Sequence, residues 1–207
     1  MGTRVKVCGI TRSADARAAA RAGVDAIGFV FYSASPRYIS AASACILASE
    51  IPPFVSTVGL FVNASASDVF NTLNEVRLDY LQFHGEETPE YCAQFGVPFL
   101  KAVRVRADVN LLQYANSYSG AKAILLDAYV EGAHGGTGQR FDWQLIPPAL
   151  PLPVILSGGL SPDNVTAAIR AVRPWAVDVS SGVEIAKGVK DAKKIEEFMR
   201  GARNADV

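Results

Sequence analysis

The sequence predicts a closed (β/α)8 barrel, an α/β fold, on three observations. Short β-rich apolar runs alternate with helical patterns along the whole chain. The runs number eight, centred near residues 5, 27, 58, 81, 101, 125, 154 and 178. Two glycine turns, Ser157-Gly158-Gly159 and Ser180-Ser181-Gly182, lie close together late in the chain, each directly after such a run. Strands separated by helices pair in parallel through right-handed crossovers. Eight such units in 207 residues suit a barrel at the small end of its size range, which starts at about 200 residues. In a barrel, the turns after strands 7 and 8 make a phosphate cup, because glycine lets backbone N–H groups approach an anion. Each turn alone reads equally as an ordinary loop. The competing fold, an open doubly wound sheet, carries a GxGxxG-type turn after its first strand; Cys8-Gly9-Ile10-Thr11 does not match it.

The elements follow in order. Val5–Gly9 is a short β run. Ser13–Ala22 is an Ala- and Arg-rich helix that opens on a Ser able to cap and stops at Gly23. Ala26–Phe31 is a strand, and Ser40–Glu50 a helix halted before Pro52-Pro53. Ser56–Val62 is a strand. Ser65–Val76 is a helix with Val69, Phe70 and Leu73 on its apolar face. Asp79–Phe83 is a strand, and Thr88–Phe95 a helix with Pro89 in its first turn. Phe99–Val105 and Ala123–Asp127 are strands around a helix at Val109–Tyr118. A Gly-rich loop leads to a short helical piece near Asp142–Ile146. A helix at Ser161–Ala171 separates the last two strands, and Asp191–Arg203 closes the chain as an amphipathic helix. Residues 1–207 are expected to form one barrel domain.

Composition narrows the function classes. Half the residues are hydrophobic and 19% are charged, enough for a large core. Twenty Lys and Arg balance 20 Asp and Glu; with no single-sign patch, nucleic acid is not an expected partner. The N-terminal residues lack a signal-peptide pattern and no apolar run reaches about 18 residues, so no membrane partner is expected. The three cysteines, Cys8, Cys45 and Cys92, are widely spaced without a CxxC, which points to reduced thiols in the cytoplasm. Neither His84 nor His134 has metal-ligand spacing to a cysteine, so no metal is expected.

In a barrel the chemistry collects where strands end. Cys8 closes the first strand. As a free thiol it reads as a base or nucleophile, or as a small buried hydrophobe. Cys45 and Cys92 lie within helix patterns and read as small buried hydrophobes. Asp127 ends an apolar run; burial there would raise its pKa and suit it to general acid work, and otherwise it caps the next loop. Arg37, behind the rigid Pro36, reads as a two-pronged carboxylate holder or as a surface arginine. His84 reads as support for its loop. The Gly135–Gly138 loop either closes over a ligand, with Thr137 bonding an anion, or simply turns.

These residues carry a resemblance. Lys6-Val7-Cys8-Gly9-Ile10-Thr11, Gly28-Phe29-Val30-Phe31 with Ser35-Pro36-Arg37, Val58-Gly59-Leu60-Phe61-Val62-Asn63 and Gln82-Phe83-His84-Gly85 form its first half. Leu126-Asp127, Gly135-Gly136-Thr137-Gly138 with Phe141-Asp142-Trp143, Leu156-Ser157-Gly158-Gly159-Leu160 and Asp178-Val179-Ser180-Ser181-Gly182-Val183-Glu184 form its second. In this order, over nearly the whole chain, they resemble the phosphoribosylanthranilate isomerases of tryptophan biosynthesis. Phe83 departs from a usual Leu, and Ala186-Lys187-Gly188 from a common Pro-Gly turn. The resemblance implies an Amadori rearrangement of N-(5′-phosphoribosyl)anthranilate to 1-(2-carboxyphenylamino)-1-deoxyribulose 5-phosphate. It implies Asp127 as general acid on the ring oxygen and Cys8 as general base at C2′. Arg37 would hold the anthranilate carboxylate. Gln82, His84 and Gly136 would contact substrate, and Gly158, Gly159, Ser180, Ser181 and Gly182 would hold its phosphate. No cofactor is implied, since the iminium intermediate is itself the electron sink. The expected partner is a small phosphorylated substrate, with the chain a monomer or homodimer. The rivals are a related phosphosugar barrel, indole-glycerol-phosphate synthase, whose lysine and glutamate have no matching motif here, and a barrel that binds a phosphorylated ligand without catalysis.

Overall fold

The computed structural model describes residues 2–128 and 142–205. Eight parallel strands close into a barrel in chain order. They are β1 (Arg4–Cys8), β2 (Ala26–Val30), β3 (Ser56–Phe61), β4 (Tyr80–Phe83), β5 (Phe99–Val105), β6 (Ala123–Ala128), β7 (Val154–Leu156) and β8 (Ala176–Val179). Closure comes from β1, which pairs with β2 at Lys6↔Ala26 and with β8 at Lys6↔Asp178. The crossovers are α1 (Ser13–Ala22), α2 (Ala41–Ser49), α3 (Ala66–Glu75), α4 (Pro89–Ala93), α5 (Leu111–Ser117) and α6 (Val165–Val172), with α7 (Ala192–Ala205) after β8. Between β6 and β7 the described residues hold one 3₁₀ turn, Trp143–Leu145, capped by the Asp142 carboxylate.

The strands are apolar on both faces because both are covered. Val58, Leu100, Ala102, Ala123, Leu125, Ile155 and Ala176 pack inside the barrel. A larger core, including Phe29, Phe61, Phe83 and Phe198, lies between strands and helices. Phe83 has its ring 6.3 Å from Phe61, 5.7 Å from Phe95 and 6.1 Å from Phe99, so this aromatic takes its place in an aromatic cluster. Helix starts are secured by side chains: Ser40, Ser65, Thr88 and Asn110 each accept a bond from the backbone N–H three residues on, a contact that typically contributes about 1 kcal/mol.

Several elements differ from expectation. The N-cap of α1 is Arg12, without a side-chain cap, and Ser13 lies inside the helix. α4 is shorter than Thr88–Phe95. α6 begins at Val165 rather than Ser161, because Asn164 bridges the preceding turn, accepting from the Ser161 N–H and donating to the Gly159 carbonyl. Phe70 is exposed, with its ring 5.0 Å from Phe95; the buried face of α3 is Val69 and Thr72. Cys45 is exposed, while Cys92 is buried as expected. A small hairpin, β9 (Glu184–Ala186) and β10 (Val189–Lys190), stands where only a turn was read.

Candidate active site

The C-terminal ends of the strands surround an open cleft. Cys8, Arg37, Gln82, His84, Asp127, Gly158, Gly159, Ser180 and Ser181 all line it, with Val30, Tyr32, Leu60, Val62 and Leu160 as apolar wall. Gly182 adjoins it within the 3₁₀ turn Ser181–Val183. Gly136, with the rest of the Gly135–Gly138 loop and His134, lies outside the described residues.

Cys8 ends β1 with its side chain buried among Val30, Leu60 and Val62. Ser180 Oγ donates to its carbonyl at 3.0 Å. Burial pushes the thiol above its ordinary value; Lys6 and Lys190 pull it back, while Asp178 adds to the rise. Lys6, one inward position below on β1, bonds Asp178 Oδ1 at 2.8 Å, and Ser157 Oγ reaches Asp178 Oδ2 at 3.4 Å.

Asp127 ends β6, across the cleft's polar wall. Its Oδ1 accepts from the Ala128 N–H at 2.9 Å and its Oδ2 lies 3.1 Å from His84 Nε2. Gln82 Nε2 sits 3.0 Å from His84 Nδ1. With the amide donating to Nδ1, the imidazole proton is on Nε2 and points at Asp127. Gln82 is fully buried, and its Oε1 has no partner among the described residues. His84 thus supports both its loop and the carboxylate.

The two glycine turns meet on one wall. Gly158 and Gly159 adopt φ of 83° and 64°, left-handed conformations that strain other residues. A Cβ on Gly158 would lie 2.6 Å from the Ala128 nitrogen, and one on Gly182 would collide with the Leu160 carbonyl oxygen. The turns are therefore packed backbone to backbone, with Ser180 and Ser181 beside them.

Arg37 makes the two-pronged carboxylate contact that its sequence suggests, but within the chain. Its Nε and Nη2 each bond Glu184 at 2.8 Å, leaving Nη1 as the nitrogen outside that fork. It is buried, not a surface arginine. Lys190 adds a third contact to Glu184 at 2.8 Å and also donates to the Ser180 carbonyl at 3.1 Å. Burial would raise Glu184, yet Arg37 and Lys190 hold it below the ordinary carboxylate value. Sequence reasoning missed Asp178, Glu184 and Lys190, and gave Lys6 no role. For the first pair a signal existed: Lys6 and Cys8, like Asp178 and Ser180, share the inward face at the strand period of two.

A model of the family described as "N-(5'phosphoribosyl)anthranilate (PRA) isomerase" matches residues 5–201. The N-(5'-phosphoribosyl)anthranilate isomerase of Thiobacillus denitrificans is 60% identical over 203 residues, covering 98% of this chain and 99% of its own. Among solved structures, the isomerase of Thermotoga maritima superposes with a TM-score of 0.89 at 42% identity, covering 98% of this chain and 99% of that one. A PRA isomerase in complex with reduced 1-(o-carboxyphenylamino)-1-deoxyribulose 5-phosphate gives 0.86 at 42% identity, with the same coverage. A further T. maritima structure, of monomers generated from a dimeric isomerase, gives 0.86 at 40%, covering 98% of this chain and 99% of that one. By sequence over nearly its whole length and by its eight-stranded barrel, the chain belongs to the N-(5′-phosphoribosyl)anthranilate isomerase family.

Proposed function

We propose that residues 1–207 act as one catalytic barrel in which Asp127 and Cys8 are the acid and base of the family's reaction. The activity is the isomerisation of N-(5′-phosphoribosyl)anthranilate in tryptophan biosynthesis. Asp127 protonates the furanose ring oxygen, the C1′–O bond breaks, and an iminium forms at C1′. Cys8 removes the C2′ proton, leaving an enolamine that tautomerises to the ketone. The observation that carries this assignment is that one cleft is lined by a thiol at the end of β1 and a carboxylate at the end of β6, with both glycine turns on its wall.

The turns at Gly158-Gly159 and Ser180-Ser181-Gly182 hold the phosphate through backbone donors. Gln82 and His84 keep Asp127 oriented beside the substrate, Gly136 contacts substrate, and Arg37 meets the anthranilate carboxylate through Nη1 while Glu184 fixes its plane. The bound product analogue of the related isomerase supports a phosphorylated small molecule as partner, and the dimeric T. maritima relative supports a homodimer. Among the described residues no helix is long and apolar enough to cross a membrane, and three unpaired cysteines support a cytoplasmic setting.

The test is the loss of substrate fluorescence with freshly made phosphoribosylanthranilate. Cys8→Ala and Asp127→Ala are each expected to lower kcat by at least about 10²-fold, the low end for a positioned acid or base, while still binding a product analogue. Cys45→Ala and Cys92→Ala stay active. A folded Cys8→Ala with near-normal kcat overturns the assignment.

A further inference from the structure

Lys6 and Asp178 form an ion pair in the same barrel interior as Val58, Leu100, Ala102, Leu125 and Ile155, with side chains only 4% and 7% exposed. Burying two charges is costly, and a well-packed apolar pair often serves stability as well or better. Their place under the cleft suggests a different use. Lys6 and Cys8 alternate onto the same face of β1 and converge over Gly28. A Cβ there would lie 2.8 Å from Cys8 Sγ and 3.2 Å from Lys6 Cε, so the glycine makes room for both. The Lys6 ammonium bonds Asp178 Oδ1 at 2.8 Å, and its positive charge beside Cys8 pulls the thiol downward.

We propose that Lys6, anchored by Asp178, is a positioning residue for the base: its ammonium is the counter-charge of the Cys8 thiolate, and Asp178 sets how much of that charge the thiolate receives. The inference rests on Cys8 being the base. The other groups facing Cys8 are few. Lys190 on β10 is tied to Glu184 and Ser180. Arg37, in the loop after β2, is held by Glu184. β2 itself presents Gly28 and Val30, without charge, the Tyr32 phenol packs on the same cluster from the loop after β2, and His84 and Asp127 stand on the wall formed by β4 and β6. In the step itself the C2′ proton goes to Sγ. The C–H electron pair becomes the new C1′–C2′ π bond, and the iminium nitrogen takes the electrons of its own π bond. Lys6 stays protonated throughout and is left beside a neutral thiol.

The experiment reads the thiol directly. In a Cys45→Ala background, which removes the exposed thiol, iodoacetamide alkylation of Cys8 is followed against pH together with kcat/KM for Lys6→Met, Lys6→Arg and Asp178→Asn. Lys6→Met is expected to move the alkylation midpoint, and the acid limb of kcat/KM with it, upward by about one pH unit or more. Asp178→Asn moves both downward, and Lys6→Arg restores the wild-type profile. Loss of activity or melting temperature with both profiles unmoved overturns the proposal and leaves the pair structural. If Lys6→Met does not fold, Asp178→Asn decides: an unchanged or raised midpoint overturns it. Failure of the base assignment is separate, since it appears as an active Cys8→Ala, whereas alkylation needs no turnover.

Discussion

Burial raises the Cys8 thiol by more than Lys6 and Lys190 recover, so the thiolate that takes the C2′ proton depends on those two cations. Cys92 is likewise pushed up, by burial first, to about 12. On the phosphate wall, Gly158→Asp would place a Cβ against the Ala128 nitrogen and a carboxylate where an anion binds. KM should rise more than kcat falls, measured by steady-state assay; an unchanged KM in a folded variant takes the phosphate away from this turn. Glu184 titrates in the opposite sense to Cys8. Burial raises it, but Arg37 and Lys190 outweigh burial and leave it low in the folded chain. A carboxylate depressed on folding contributes stability above its unfolded value, about 4.3, and loses it as pH falls through the folded value. Melting temperature should therefore drop on acidification below that range, and Glu184→Gln should flatten the drop; a parallel acid slope in the variant would count against it. Cys8 and Asp127 were legible in the sequence because strand ends announce themselves. Glu184 was not, because its partner Arg37 is 147 residues away and nothing local marks the pair.

Among the elements, the loop carrying His84 is held from below by a buried pair. Lys101 on β5 bonds Glu87 at 2.8 Å and the Gly85 carbonyl at 2.6 Å, while Glu87 accepts from the Asn63 and Gly85 N–H groups. The pair thus ties the loops after β3 and β4 to the body of β5 next to the site. Lys101→Met leaves Glu87 buried without its counter-charge, a loss of about 3–5 kcal/mol to be read by denaturant melts. Lys101→Met with Glu87→Leu should recover part of it, and a single variant as stable as the parent would show the pair to be dispensable. Every barrel strand was readable from the sequence, since a buried parallel strand is a short apolar run between turn residues. The start of α6 was not, because Ser161-Pro162-Asp163 looks like a helix entry while Asn164 holds it as a turn. Nor was the β9–β10 hairpin, whose few residues give no periodicity and whose turn rests on Gly188 at φ 77°.

At the scale of the molecule, the two ends of the barrel are unlike. The end away from the cleft carries Phe54, fully exposed and held at φ 72°, a costly conformation for a bulky residue. It borders a hollow lined by Tyr80, Leu100, Ile155 and the half-exposed Trp175, over which Arg4 stacks at 4.0 Å. Phe54→Ser is expected to retain turnover, since the cleft lies at the other end; a folded variant with lowered kcat in the steady-state assay would show the two ends to be linked.

The closure of the barrel by β1 against β8 has a bearing on how the chain folds. Lys6 meets Asp178, and Ser180 meets Cys8, across 172 positions of sequence. Contacts of such separation form late, because the loop entropy they cost is offset only when the intervening units are in place. The thiol's surroundings are therefore the last part of the molecule to assemble, and during refolding helical signal returns before turnover does.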